Sequence, residues 1–246
     1  MKKLINLLLL MTSLLIGCQT TTTDNATDKE QKECCTHNVF VLVDNTEKSG
    51  DRSDLLSKDG ILKLFVTSDG NQAHGKIVWR EINNISINRQ QEIEYTQPAD
   101  GTTILLLKRH KEKFLEELDD VYSTFLGPSS EKNSSSIYAP ICGAFQELNK
   151  SEADKNIIII LSDMTEFSDC ANFYKCGTTD VEIEAMVKKV EKCGYYSLPD
   201  NPKNLEVIIL FQPLNTKQDQ DFHKSMVIWK RIFEKKGIPF SVKANL

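Results

Sequence analysis

The sequence predicts a three-layer α/β sandwich: a mainly parallel sheet covered by helices on both faces, with one antiparallel strand from an early hairpin. Three observations carry that expectation. Short runs that are apolar at nearly every position recur along the chain, as expected of strands buried on both faces. Amphipathic segments of helical period separate them, and such alternation is the pattern of a parallel sheet. An Asp-Gly pair in a polar joint between two β-rich pieces supplies the hairpin.

The first segment reads as an address. Lys2 and Lys3 precede an apolar run from Leu4 to Ile16, which closes on Leu15-Ile16-Gly17-Cys18. A charged start, an apolar core and a small residue before the cut mark a secretory signal over residues 1–17. At about thirteen residues the run is shorter than the roughly twenty a spanning helix needs. Its last four residues resemble the bacterial lipobox, which implies a lipid-modified Cys18 as the first residue of an exported chain in the cell envelope. Gln19, where Asp would favour inner-membrane retention, leans the expectation toward an outer membrane if the host has one. Residues 18–37 are mostly Thr, Asp, Lys, Glu and Gln. They carry too little apolar area to offset the entropy of ordering, and read as a flexible tether.

The domain is expected over residues 38–246. Asn38-Val39-Phe40-Val41-Leu42-Val43 is the first buried strand and ends at Asp44. Ile61–Thr67 and Lys76–Ile87 read as strands joined through Ser68-Asp69-Gly70-Asn71. Thr103–Phe125 is a long helix with Leu107, Phe114, Leu115, Leu118, Val121, Tyr122 and Phe125 as its apolar positions. Ser136–Leu148 follows as a helix. Asn156–Leu161, with four consecutive isoleucines, is a buried strand ending at Ser162-Asp163. Asp180–Cys193 is helical, Leu205–Phe211 is a strand, and Asp221–Lys236 is a helix stopped by Gly237. Pro239–Val242 closes the chain as an edge strand. The arrangement is Rossmann-like. In such sheets ligands bind beyond the carboxyl ends of the strands, where Asp44 and Asp163 both fall.

Loss of Lys2 and Lys3 with the signal would take the formal charge from −5 to −7. An acidic chain without a long Lys/Arg run argues against nucleic acid as a partner. It also leaves membrane attachment to the lipid anchor. Besides Cys18 there are six cysteines: Cys34, Cys35, Cys142, Cys170, Cys176 and Cys193. An exported chain permits disulfides, with fifteen pairings open and a local bridge favoured among Cys170, Cys176 and Cys193. For Cys142, on a helix's apolar side, a free buried thiol stands open beside a disulfide.

Asp44-Asn45-Thr46-Glu47-Lys48, the segment Asn133–Tyr138 and Leu161-Ser162-Asp163 stand in an order that resembles the von Willebrand factor A-type domain over residues 38–246. In that family an Asp-x-Ser-x-Ser loop, a distant Thr and a distant Asp surround a divalent cation, usually Mg²⁺, whose open position takes a carboxylate from a protein partner. The resemblance implies Asp44, Thr46, Ser135 and Asp163 as metal-site residues. Oxygen ligands of that kind suit Mg²⁺. Lys48 departs from the pattern by replacing a hydroxyl with an ammonium, which cannot coordinate. At about 4 Å and an effective dielectric near 20 it would oppose a divalent ion by roughly 8 kcal/mol. Millimolar to micromolar binding supplies only about 4–8 kcal/mol. The expectation is therefore a degenerate site, with no cofactor or weakly bound Mg²⁺, in a domain that binds or scaffolds proteins without catalysis. If Lys48 faces solvent, Ser49 or water completes a weakened site. Each residue also has an ordinary use: Asp44 and Asp163 as turn caps, and a serine of Ser134–Ser136 as a helix cap.

The competing reading is a haloacid-dehalogenase-like phosphohydrolase with Asp44 as nucleophile. That family needs an acid two residues further on, where this chain has Thr46. His37, His74, His110 and His223 fall in no catalytic motif. Trp229 lies on an apolar stripe and is expected in the core; Trp79 is open between core and interface.

Overall fold

The computed structural model describes residues 36–46, 52–66, 73–82, 89–96, 103–127, 134–193 and 196–246. The signal, Cys18, Cys34, Cys35, Lys48 and the Ser68–Asn71 turn lie outside them. The described residues form the expected three-layer α/β sandwich. In chain order they are β1 (Thr36–Asp44), α1 (Lys58–Lys63), β2 (His74–Ile82), β3 (Gln90–Tyr95), α2 (Ile104–Phe125), α3 (Tyr138–Leu148), β4 (Lys155–Leu161), α4 (Asp180–Val190), β5 (Leu205–Leu210), α5 (Thr216–Lys236) and β6 (Phe240–Lys243).

The strand order is β3-β2-β1-β4-β5-β6, with β3 antiparallel to β2 and every other pairing parallel. The chain thus moves outward from β1 to β3, then returns to start β4 on the other side of β1. That reversal opens a crevice between the carboxyl ends of β1 and β4, the usual position for a ligand in a doubly wound sheet.

Alternation along the central strands builds two cores. Val39, Val41 and Val43 with Ile157, Ile159 and Leu161 face α1 and α2, where Leu118, Val121 and Phe125 meet them. Phe40, Leu42, Ile158 and Ile160 face α3, α4 and α5, against Ile141, Phe145, Val187 and Trp229. The period of two thus divides an unbroken apolar run between two helical layers. Trp229 and Trp79 are both fully buried, so Trp79 belongs to the core.

Four sequence expectations need correction. The first hairpin strand, Ile61–Thr67, is not formed over its described residues: Leu64 and Phe65 make a turn, and Ile61–Lys63 belong to helix α1. Ser57 caps it by accepting the Gly60 N–H at 3.0 Å, and Asp59 sits in its first turn. Those helix-start signals outweigh the short apolar run. The hairpin instead joins β2 to β3. β1 starts at Thr36, inside the expected tether. There Thr36 N–H donates to Asp154 Oδ2 at 2.8 Å and His37 Nδ1–H to the Leu64 carbonyl at 2.6 Å, which orders two residues that composition alone assigned to solvent. α5 begins five residues early, capped by Asn215. Leu107, expected on the packed stripe of α2, is exposed.

Gly237 ends α5 in the left-handed region at φ 61°, and an added Cβ would meet Asn201 Oδ1 at 2.1 Å. Cys170 and Cys193 form the local disulfide, tying the loop after β4 to the end of α4. Cys142 and Cys176 are free and buried, and burial pushes the Cys142 thiol up to about 12. Among the described residues no helix is long and apolar enough to cross a membrane.

Candidate functional site at the sheet's carboxyl edge

Asp44 ends β1 and is only 5% exposed. A buried carboxylate requires compensation, and here it comes from hydroxyls and a backbone N–H. Oδ1 accepts the Thr46 N–H at 3.0 Å and the Thr46 hydroxyl at 2.5 Å. Oδ2 accepts the Ser135 hydroxyl at 3.0 Å and the Ser162 hydroxyl at 2.8 Å. Four donors, two from Thr46 of the same loop and one each from two remote segments, therefore converge on one side chain. Of the expected residues, Asp44, Thr46 and Ser135 are joined directly.

Asp163 stands next in the chain to Ser162 and is also buried, but its Oδ1 accepts the Thr165 N–H at 2.9 Å within its own loop. Thr165 in turn shares a 2.9 Å hydrogen bond with Ser225 of α5. Asp163 thus organises the start of the β4 loop as an Asx-type turn. Met164 follows at φ 60°, an unusual value for a side chain of its size. The Ser162 hydroxyl accepts its N–H at 2.9 Å, and its carbonyl accepts the Trp229 indole N–H at 2.8 Å. Packing and hydrogen bonds from both sides hold the strained residue in position.

Ser135 is fixed by backbone pairing. Its N–H and carbonyl exchange 2.8 Å hydrogen bonds with Phe167, stitching the segment before α3 to the loop after β4. α3 has no side-chain cap of its own at Ile137. Glu166, fully buried, supplies it: Oε2 accepts the Ile137 N–H at 2.7 Å and the Tyr138 N–H at 2.9 Å. Burial raises its pKa, opposed by hydrogen bonds from Tyr138, Ser168 and Ile137 and reinforced by the Asp44 charge.

Arg52 brings a cation to this edge. Its guanidinium donates to the Asp44 backbone carbonyl and to Asn45 Oδ1, and Asn45 Nδ2 donates to Glu81 Oε1 at 3.4 Å. Burial lowers the Arg52 pKa, while Asp44 and Glu81 oppose that effect. Sequence reasoning assigned a cation to Lys48 and missed Arg52, along with Ser162 as a hub donor and Glu166 as a cap. None stands in a recognisable motif, and only the crossover geometry brings them together.

On the same loop Phe167 and Tyr174 pack edge to face with ring centroids 6.0 Å apart, and are 41% and 44% exposed. The carboxyl edge therefore combines a closed polar hub with two accessible aromatic rings.

No protein-family model and no curated protein matches the chain. Among solved structures, a variant of the PilB minor pilin from Streptococcus sanguinis is similar at 13% identity and a TM-score of 0.41. The match covers 89% of this chain and 59% of that one, so this chain spans under two thirds of that protein's length.

Proposed function

We propose that the chain is an exported lipoprotein, held at a membrane through Cys18, whose von Willebrand A-like domain binds a protein partner at the carboxyl edge of its sheet without catalysis. The observation that carries this reading is the loop from Ser162 to Cys176. It is pinned by Asp44, by Ser135 and by the Cys170–Cys193 bridge, and it presents Phe167 and Tyr174 to solvent. Exposed aromatic rings on a rigid support are favourable interface anchors, because little entropy is lost when they are covered.

The oxygen set at this edge has the hardness Mg²⁺ prefers, but its charge balance fits poorly. Ser135, Ser162 and Thr46 all direct their hydroxyl protons at Asp44, and Arg52 already brings a positive charge to the same loop. A unit charge about 7 Å from a divalent ion costs roughly 5 kcal/mol at an effective dielectric near 20. That is comparable with all the free energy of millimolar binding. The edge is accordingly a degenerate metal site in which hydroxyls and Arg52 do an ion's structural work. The same hydrogen bonds argue against Asp44 as a phosphatase nucleophile: its lone pairs are engaged, and Thr46 donates to it where that chemistry needs an acid.

The test is a photo-crosslinking residue in place of Phe167, with Lys230 on the exposed side of α5 as the control position. A discrete protein adduct from Phe167 alone is expected in intact cells, and Cys18→Ala should yield an unlipidated chain that high salt strips from membranes, with its fold unchanged. Equal labelling from both positions would overturn the docking edge. An unlipidated mature terminus would overturn the anchor.

A further inference from the structure

α2 is two structures in one helix. From Phe114 onward it packs, burying Phe114, Leu118, Val121, Tyr122 and Phe125. Every residue from Ile104 to Lys113 is exposed. Ten helical residues span about 15 Å. Phe114 marks the sheet's amino edge: its ring meets Tyr95 at 4.9 Å and Phe65 at 6.3 Å, and Tyr95 pairs with Gly75, itself opposite His37 near the start of β1. At the other end of α2 the Thr124 carbonyl accepts from Arg89, beyond the start of β3. The exposed turns therefore project past the amino edge, opposite the Asp44 hub.

The composition of this arm is ordered along its axis. Ile104, Leu105, Leu106 and Leu107 are 85%, 59%, 44% and 40% exposed. Four consecutive residues fill a whole turn, so the apolar surface encircles the tip instead of forming the one-sided stripe that a single groove would match. Lys108, Arg109, Lys111 and Lys113 follow, also distributed around the axis, with Glu112 as the only acid in the ten residues. Lys108 pairs with Glu112 at 3.7 Å and Lys113 with Glu117 at 3.5 Å, both well exposed and weak. The first turn of α2 contains no acidic residue and its cap is the neutral Thr103 hydroxyl, so no charge within that turn offsets the positive end of its dipole. On an acidic chain, this is a local reversal of charge.

We propose that residues 104–113 form a membrane-contact arm: the Ile104–Leu107 tip enters the interfacial region of an anionic bilayer, and the Lys108–Lys113 collar lies among its headgroups. Four residues of helix reach about 6 Å, within the depth to which interfacial segments penetrate. Lysine and arginine stems can cover apolar surface while their charges reach phosphates. Thr36 begins β1 at the same edge, so an anchored chain would enter the domain from the side where the arm projects. The arm rests on α2 alone and requires no lipid on Cys18. It also departs from the expectation that acyl chains are the sole membrane contact.

The experiment uses the full chain carrying Leu106→Trp, with Leu105→Trp as a second reporter. Trp79 and Trp229 are fully buried and provide a constant background. Vesicles of phosphatidylglycerol and phosphatidylcholine should shift the new emission to the blue, and brominated acyl chains should quench it. Lys108→Gln with Arg109→Gln and Lys111→Gln should weaken that partitioning by roughly a hundred-fold, and high salt should do likewise. A chain that binds vesicles while both reporters stay in water overturns the arm and leaves the Cys18 anchor intact. A blue shift that grows with protein concentration without vesicles also overturns it, assigning the tip to a second copy of the chain.

Discussion

The two edges of this sheet follow opposite rules. At the carboxyl edge, charged and hydroxylic groups are buried and hydrogen-bonded to one another: Asp44 has four donors, and Glu166 caps a helix from a fully buried position. At the amino edge a full turn of aliphatic residues is exposed at the tip of α2. The first arrangement supports the fold, because each polar group left without its partner would carry a desolvation cost. The second packs on none of the described core and is the kind of exposed apolar surface that marks an association site. Substitutions at the two edges should therefore separate stability from association.

The largest effect is expected at the hub. Asp44→Ala removes the acceptor of four donors and a negative charge that favours the Arg52 cation. A loss of about 3–5 kcal/mol should appear in urea denaturation. A loss below about 1 kcal/mol would show that the hub is peripheral to folding. Reducing the Cys170–Cys193 bridge, or Cys170→Ser with Cys193→Ser, should cost about 3 kcal/mol for a loop of this length. The loop carrying Phe167 should become protease-sensitive first.

Glu166 sharpens the comparison through pH. Its folded pKa is raised above 4.5, so the folded state holds the proton more tightly than the unfolded chain. Its stability contribution is complete below that value and is lost as pH rises through the folded pKa. Glu166→Gln, which keeps an acceptor for Ile137 and Tyr138, should flatten this decline. Glu166→Ala should cost about 2–3 kcal/mol at every pH, since two N–H groups lose their acceptor. An unchanged pH slope in the Gln variant would remove Glu166 as its source.

At the amino edge the expected effect is smallest. Leu105→Ser with Leu106→Ser should change stability by no more than about 0.5 kcal/mol, because neither side chain packs. A larger loss would mean the arm is part of the core.

The edges also differed in legibility. The strands were legible because burial on both faces leaves continuous apolar runs, such as Val39–Val43 and Ile157–Leu161. Asp44, Thr46 and Ser135 were legible as a set, since their order around the strands carried the family resemblance. Arg52, Ser162 and Glu166 were not, because a hub donor or a cap borrowed from another loop has no local spacing. Ile61–Thr67 reads as a strand because its few apolar residues suit either period, and only Ser57 and Asp59 decide for α1. Periodicity places Leu107 with the core because it cannot tell that a helix outruns the sheet it packs on.

The most direct test of the hub is a thermal melt of the wild-type chain in EDTA and in millimolar Mg²⁺, beside Asp44→Asn. A ligand of the folded state raises its melting temperature. With neutral donors and Arg52 serving in place of an ion, the wild-type melting temperature should be the same in both buffers, and Asp44→Asn should be lower in each. A Mg²⁺-dependent rise in the wild type that disappears in Asp44→Asn would contradict the account and establish a working metal site at the carboxyl edge.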